Sequence, residues 1–518
     1  MKTEDIRTPC GVPREQGGTH PVLPFCVRMV KYDYLFYSSG GLMSFVIVGG
    51  CLTEYPGDEE EVIVPAGVKA IGCWAFAGRE GISRVILPPG VVRIDAEAFA
   101  GCSSLREISL PAGLLAIGWG AFAGCSALAD IAIPESVRAI GSGAFRDTAY
   151  YNDPANWQDG LLYIGGVLIE AAGVSGDCRL LPATRLIANC AFWECEGLTD
   201  IVIPGSVEAI GVSAFGYCRR LENAVVEEGV ARIGAGAFYR CVGLKKLTLP
   251  PSVTEIGEGA FADCRAIREL LLPPEIKRIA AGACVRCRSL RAASVLDTVE
   301  SVGEFAFRGC GFPRVTVPPN VRRVEGFCFG GIKDIVIYDT LGGAVDRIGC
   351  LHESGRDYAY TVTVLSAAAG GRTGVVPMCG DGTAELDSLL KQAWGEGNTF
   401  DYRALDAYFP RIAKAESKTQ IAITRLRWPF DLSVQAAEAY AAWLRANAAD
   451  ILRRCVDEED MELTAFFAEK GLIGQAAAEG VIEYAVRKKK VAFTAFLLQH
   501  SETAADDVPP DLELTELL

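Results

Sequence analysis

The chain has 518 residues, half of them hydrophobic, with a mean hydropathy of +0.23 and a formal charge of −15. That length and apolar content support an extensive core spread over two or three domains. The acidic balance argues against nucleic acid as a partner, because phosphates repel such a surface.

Residues 1–42 match no pattern and are expected to be a disordered or non-native extension, with Met43 as the expected natural start of translation. The N-terminus lacks a basic-then-apolar leader pattern, and "GGLMSFVIVGGCL" is short, glycine-broken and too far into the chain for a secretory leader. No run reaches the roughly 18 apolar residues of a spanning helix, so membrane insertion is not expected. Nineteen cysteines would suit a small disulfide-stapled domain, but this chain is long and the count is odd. Reduced thiols in a cytoplasm are the expectation.

From residue 43 to 338 a repeat dominates. Ala-Phe stands at 75–76, 98–99, 121–122 and 144–145, then at 191–192, 214–215, 237–238, 260–261 and 306–307, with Ala283-Cys284 between the last two. The step is 23 residues except between Phe145 and Phe192, where 47 residues imply one degenerate unit, "YYNDPANWQDGLLYIGGVLIEAAG". A period this regular marks a repeat architecture. Within one unit Leu198, Ile201 and Ile203 predict a short strand ended by Pro204. Val207 and Ile210 follow as a second apolar step, Gly211 is expected to turn the chain, and one helical turn is expected to bring Phe215 and Cys218 inward. No single unit can bury that face, so neighbours must stack.

The unit I-P-x-x-V-x-x-I-G-x-x-A-F-x-x-C resembles the BspA-like (bacterial surface antigen A-like) leucine-rich repeat family over about residues 45–338. "FVIVGGCLTEYPGDEEEVIVP" (45–65) is similar to the usual opening segment of that subtype. The resemblance implies a β-solenoid, and for secreted relatives it implies adhesion to host or matrix proteins. At about 4.8 Å between strands, a dozen units would make a sheet about 55 Å long.

Strand alternation predicts an outward column of small apolar residues, in which Ile86, Ser109, Val202, Val225, Leu271, Thr248 and Thr316 stand. A charged column flanks it: Arg84, Glu107, Asp130, Asp200, Lys246, Glu269 and Arg314. Apolar contact edged by mixed charge suits a protein ligand, and these fourteen residues form the candidate binding face. A second column, Cys102, Cys125, Cys195, Cys218, Cys241, Cys264, Cys287 and Cys310, is expected to pack rather than bind metal. Cys284-x-x-Cys287 has a zinc-like spacing only because a cysteine replaces the phenylalanine of its unit. His20, His352 and His500 lie near no nucleophile motif, and "LGGAVDRIGCLHESG" (341–355) has no P-loop spacing. No catalytic residue, metal or cofactor is expected.

Beyond 338 the period stops. Residues 339–384 are expected to form a connector holding a hairpin around Gly370-Gly371. Alanine-rich helical segments follow at 385–394, 401–409, 418–427 and 433–456. "ILRRCVDEEDMELTAFFAEKG" (451–471) and "VIEYAVRKKKVAFTAFLLQHS" (481–501) align at a period of 30. They resemble ankyrin-like helix pairs but lack the Thr-Pro-Leu-His opening. "RKKK" (487–490) is expected to sit in a turn opposite the acidic "DEED" (457–460), and 502–518 to be an acidic, solvated tail.

The expected fold is therefore an α+β repeat solenoid, a leucine-rich repeat β-solenoid followed by a small β element and an all-α ankyrin-like region (385–501). The expected function is a non-enzymatic protein-interaction scaffold in the cytoplasm. The alternatives are a cell-surface adhesin, exported by a route without a recognisable signal, and an enzyme with a cryptic site within 340–450.

Overall fold

The computed structural model describes residues 35–37, 45–293, 298–339 apart from six single positions, 359–366, 371–379, 389 and 400–501. The chain forms two compact units, Met1–Gly311 and Phe312–Leu518.

In the first unit the repeats build three stacked columns. The outer strands pair in parallel, one repeat per rung: Glu61↔Arg84↔Glu107, and further along Asp200↔Asn223↔Lys246. The second apolar step is itself a two-residue strand. Ala209↔Arg232↔Glu255 and Ile210↔Ile233↔Ile256 form a second parallel ladder. The third column is the Ala-Phe-x-x-Cys segment. Successive turns, not a helical turn, bring Phe215 and Cys218 inward. Alternate amides close local turns (Gly216 N to Ser213 O, 2.9 Å; Cys218 N to Phe215 O, 3.2 Å). The others reach the next repeat (Phe215 N to Ala237 O and Tyr217 N to Tyr239 O, both 2.7 Å). This arrangement satisfies every second amide between repeats, which a helix could not do.

The phenylalanines stack face to face along the core. Ring centroids lie 4.8, 5.2 and 5.5 Å apart from Phe76 through Phe145, and 4.8, 5.1 and 6.0 Å apart from Phe192 through Phe261. All of these rings are fully buried.

Gly211 opens the turn, its carbonyl accepting from Ala214 N at 3.3 Å, and it also admits the neighbouring backbone. A Cβ on it would lie 2.6 Å from Ala188 C, and on Gly257 it would lie 2.4 Å from Ala235 N. The segment expected to be a degenerate repeat is a fresh start. After a short helix, Ala149–Asn152, the strands Trp157–Gln158, Leu161–Ile164 and Val167–Ala171 run antiparallel. The hairpin Leu161–Ala171 repeats the opening hairpin Phe45–Glu54 in detail. Val46↔Glu54, Ile47↔Leu52 and Val48↔Cys51 correspond to Leu162↔Glu170, Tyr163↔Leu168 and Ile164↔Val167, with the bulge at the same rung. Both turns are Gly-Gly, at 49–50 and 165–166. Each hairpin then pairs in parallel with the first repeat after it, Leu52 with Ile71 and Leu168 with Ile187. The repeats therefore run in two series, each begun by its own hairpin. Part of the 1–42 extension is also ordered: Leu35–Tyr37 pairs antiparallel with Phe45–Val48.

In the second unit, Arg314–Val317 and Asp334–Asp339 pair in parallel, and Asp334–Asp339 pairs with Ala359–Ser366. Ala359–Ser366 and Gly371–Cys379 make the expected hairpin. The helices described over 400–501 are Tyr402–Tyr408, Ala415–Arg427, Val434–Ala446, Ala448–Glu458, Met461–Glu469, Gln475–Arg487 and Val491–Ser501. The single helix expected over 433–456 is two, broken at Asn447 (φ −111°, ψ 9°). The expected helix over 385–394 falls almost wholly outside the described residues. Asp401, Ser433 and Asp460 cap their helices through side-chain oxygens that accept from backbone amides. Arg425, wholly buried, donates two hydrogen bonds to Asp406 (2.8 and 2.9 Å) and one to Phe430 O (2.8 Å). Tyr440 completes the site by donating to Asp406 (2.6 Å). "RKKK" lies at a turn, where Lys488 pairs with Asp457 at 3.0 Å and Lys490 pairs with Glu459.

Candidate protein-binding face

The outer strands set each side chain by alternation. In Arg84–Ile86 the middle residue Val85 is buried while Arg84 is exposed, and in Asn223–Val226 Ala224 and Val226 are buried while Val225 is exposed. Because the ladder is in register, each outward residue lies beside its counterpart one repeat away. Arg84, Glu107, Ile86 and Ser109 share the sheet Glu61–Ile63, Arg84–Ile86 and Glu107–Ser109. There Arg84 sits between two carboxylates, Glu61 at 3.2 Å and Glu107 at 3.4 Å, while Ile63 extends the apolar column and is 62% exposed. Ile86 is half-buried.

A second sheet carries Asp200, Val202, Val225, Lys246 and Thr248, with Val202↔Val225↔Thr248 as one apolar rung series. Asn223 donates to Asp200 at 2.6 Å and holds that carboxyl below the usual carboxylate range. Val202 and Val225 are about two-fifths exposed (40% and 38%). Glu269 begins the next short strand, Glu269–Leu270, and Leu271 lies just past its end with 67% of its surface open. In the second unit Arg314 and Thr316 both point outward from Arg314–Val317.

Asp130 is the exception. Its repeat has no outer strand, and Leu128 O accepts instead from Tyr150 N at 3.0 Å in the segment that precedes the second hairpin. The expected single sheet is thus several shorter ones. Glu61, Ile63 and Asn223 belong to the face although the sequence reading had not included them; their phase in the repeat was the available signal.

The cysteine column is buried, and its thiols do more than fill space. All but one donate to a carbonyl 26 residues back, as in Cys102 to Phe76 O, Cys218 to Phe192 O and Cys241 to Phe215 O at 3.0 Å, and Cys264 to Phe238 O at 3.1 Å; Cys195 donates to Ala171 O, 24 residues back, at 3.5 Å. Burial pushes the Cys241 and Cys264 thiols well above their ordinary values. Among the described residues no group of three His, Cys, Asp or Glu side chains is placed to hold a metal ion.

The family model described as "BspA type Leucine rich repeat region" matches six copies, over residues 56–155, 185–310 and 279–348, just over half of the chain. The chain belongs to the BspA-type leucine-rich repeat family. Similar solved structures include a leucine-rich repeat protein from Bacteroides ovatus, at 21% identity over 57% of this chain and 96% of that one, with a TM-score of 0.28. Another is a leucine rich cell surface protein from Faecalibacterium prausnitzii, at 22% identity over 59% and 95%, with a TM-score of 0.27. A leucine-rich repeat protein of T. pallidum has 26% identity over 44% and 90%, with a TM-score of 0.22. No curated protein matches the chain. Among the described residues of this BspA-type chain, no helix is long and apolar enough to cross a membrane.

Proposed function

We propose that this BspA-type chain is a non-enzymatic binding protein that presents its outer-strand face to protein ligands. The observation that carries the reading is the register of Val202, Val225 and Thr248 beside Asp200, Asn223 and Lys246. It aligns an apolar strip with polar and charged groups that fix orientation, the composition of a protein interface. Val202→Asp combined with Val225→Asp should abolish capture of a specific native partner while leaving the melting temperature within a few degrees of wild type. Unchanged capture would refute the assignment of this face.

The two helix pairs of the second unit, Ala448–Glu469 and Gln475–Ser501, are proposed as an ankyrin-like surface for a further protein contact. Buried thiols suit a reducing cytoplasm, which is the proposed compartment; an adhesin would be exposed on the cell. Protease treatment of intact cells separates the two. Peptides released from the repeats before lysis would place the protein outside and replace the cytoplasmic reading with the adhesin.

A further inference from the structure

Each Ala-Phe-x-x-Cys turn has a left-handed residue two places after the phenylalanine. In the first series it is Gly78, Gly101 and Gly124, then Asp147; in the second it is Glu194, Tyr217, Arg240, Asp263 and Arg286 before Gly309 returns. Those five non-glycine residues have φ between 57° and 61°. A Cβ disfavours that backbone, so five in succession demand a reason, and the first series shows that glycine suffices for the fold.

The side chains of four of them, Glu194 apart, connect through their neighbours into one ridge, with Tyr217 and Asp263 buried at its base. Trp193 packs on Tyr217 with centroids 4.8 Å apart, and Tyr217 meets Tyr239 edge-on at 5.4 Å. The Arg240 guanidinium lies over both tyrosines, at 5.3 and 5.5 Å, and donates to the Tyr217 hydroxyl at 3.3 Å. Arg219 approaches the Tyr217 ring at 5.8 Å. Next along the column Asp263 is fully buried and accepts from Arg265 at 3.2 Å and from Arg286 at 2.9 and 2.6 Å, with Arg240 at 3.9 Å. One carboxylate thus stands among three guanidinium groups, in a chain whose formal charge is −15.

We propose that this ridge, on the turn column and not on the strand face, docks an acidic segment of a protein partner. Charge complementarity selects an anion, and guanidinium forks match planar carboxylates, as they do at Asp263. Tryptophan, tyrosine and arginine are the residues on which protein interfaces concentrate their binding energy, which favours a peptide over a sulfated sugar. Tyrosine stacking holds the arginines extended, so little side-chain freedom is lost on binding.

The test uses the full chain and fluorescence anisotropy with a labelled polyglutamate peptide, a polyglutamine peptide and heparin. Polyglutamate should bind, polyglutamine should not, and the affinity should fall as salt rises. Arg219→Glu combined with Arg265→Glu should weaken binding by about tenfold or more. Arg240→Gly should weaken it while preserving the fold, because glycine occupies that position in the first series. Glu255→Gln, exposed on the second ladder, should leave it unchanged. If Arg240→Gly unfolds the protein, Arg219→Glu alone decides, since Arg219 is exposed and outside the cluster around Asp263. Absent polyglutamate binding, equal binding by the Arg219→Glu variant, or preference for heparin would each overturn the proposal.

Discussion

At the scale of single residues, the consensus positions divide into those that fill, those that bond and those that make room. Phe215 fills: its ring is fully buried between Phe192 and Phe238. Phe215→Ala should cost about 3–5 kcal/mol in denaturant unfolding, and a wild-type midpoint would show that the stack is not the core. Cys241 bonds, donating to Phe215 O at 3.0 Å. That carbonyl also accepts from Cys218 N at 3.2 Å, so Cys241→Ala removes one of its two hydrogen bonds together with the packing of a buried thiol and should lose about 1–2 kcal/mol. Cys241→Ser keeps a hydroxyl donor and should lose less; equal losses would show that the thiol only packs. Gly257 makes room, with Ala235 N 2.4 Å from where a Cβ would stand. Gly257→Ala should destabilise by about 1–3 kcal/mol through overpacking, whereas a gain of stability would show that the neighbouring backbone leaves room for a Cβ.

At the scale of elements, the ladder of rings is interrupted where Cys284 replaces phenylalanine. A small cavity of about 10 Å³ lies there, lined by Ile256, Phe261, Leu272, Ile276, Cys284 and Phe307 among others, and its apolar wall leaves a water nothing to bond. Cys284→Val should fill part of it and raise stability by about 0.5–2 kcal/mol; a loss would mean that the neighbours have already closed around the thiol. Much of this architecture was legible in the sequence. The 23-residue step of phenylalanine and cysteine fixed which residues stack, and alternation around Val85 and Ala224 fixed which face outward. The Gly-Gly pairs at 49–50 and 165–166, flanked by matching apolar runs, carried the signal for the second hairpin, but the 23-residue period drew the reading toward a degenerate repeat. The close approach at Gly211 and Gly257 was not legible, because a consensus gives identity and not distance. Nor was the burial of Asp263, since its bidentate partner Arg286 comes from the next repeat and reaches it only once two repeats are stacked. Asp130 failed for a similar reason: its strand needs a following repeat, and a short helix and hairpin stand there instead.

At the scale of the whole molecule, regular stacking turns small local choices into long surfaces. A strand face, a turn ridge and a buried thiol column each run along the repeats because one substitution pattern recurs every 23 residues. Of the fifteen cysteines whose side chains are described, twelve are buried and none is in a disulfide. A thiol reagent should therefore leave at least those twelve unmodified in the native protein and react with them on unfolding. The measurement that reaches the functional claim most directly is site-specific photo-crosslinking in the native host. The probe would stand at Val225 and Thr248 on the outer strands, with Glu255, exposed on the other ladder, as the control. The account predicts a discrete protein adduct from Val225 and Thr248 and none from Glu255. Adducts from Glu255 with silence at both strand positions would contradict it and move the binding surface to the second ladder.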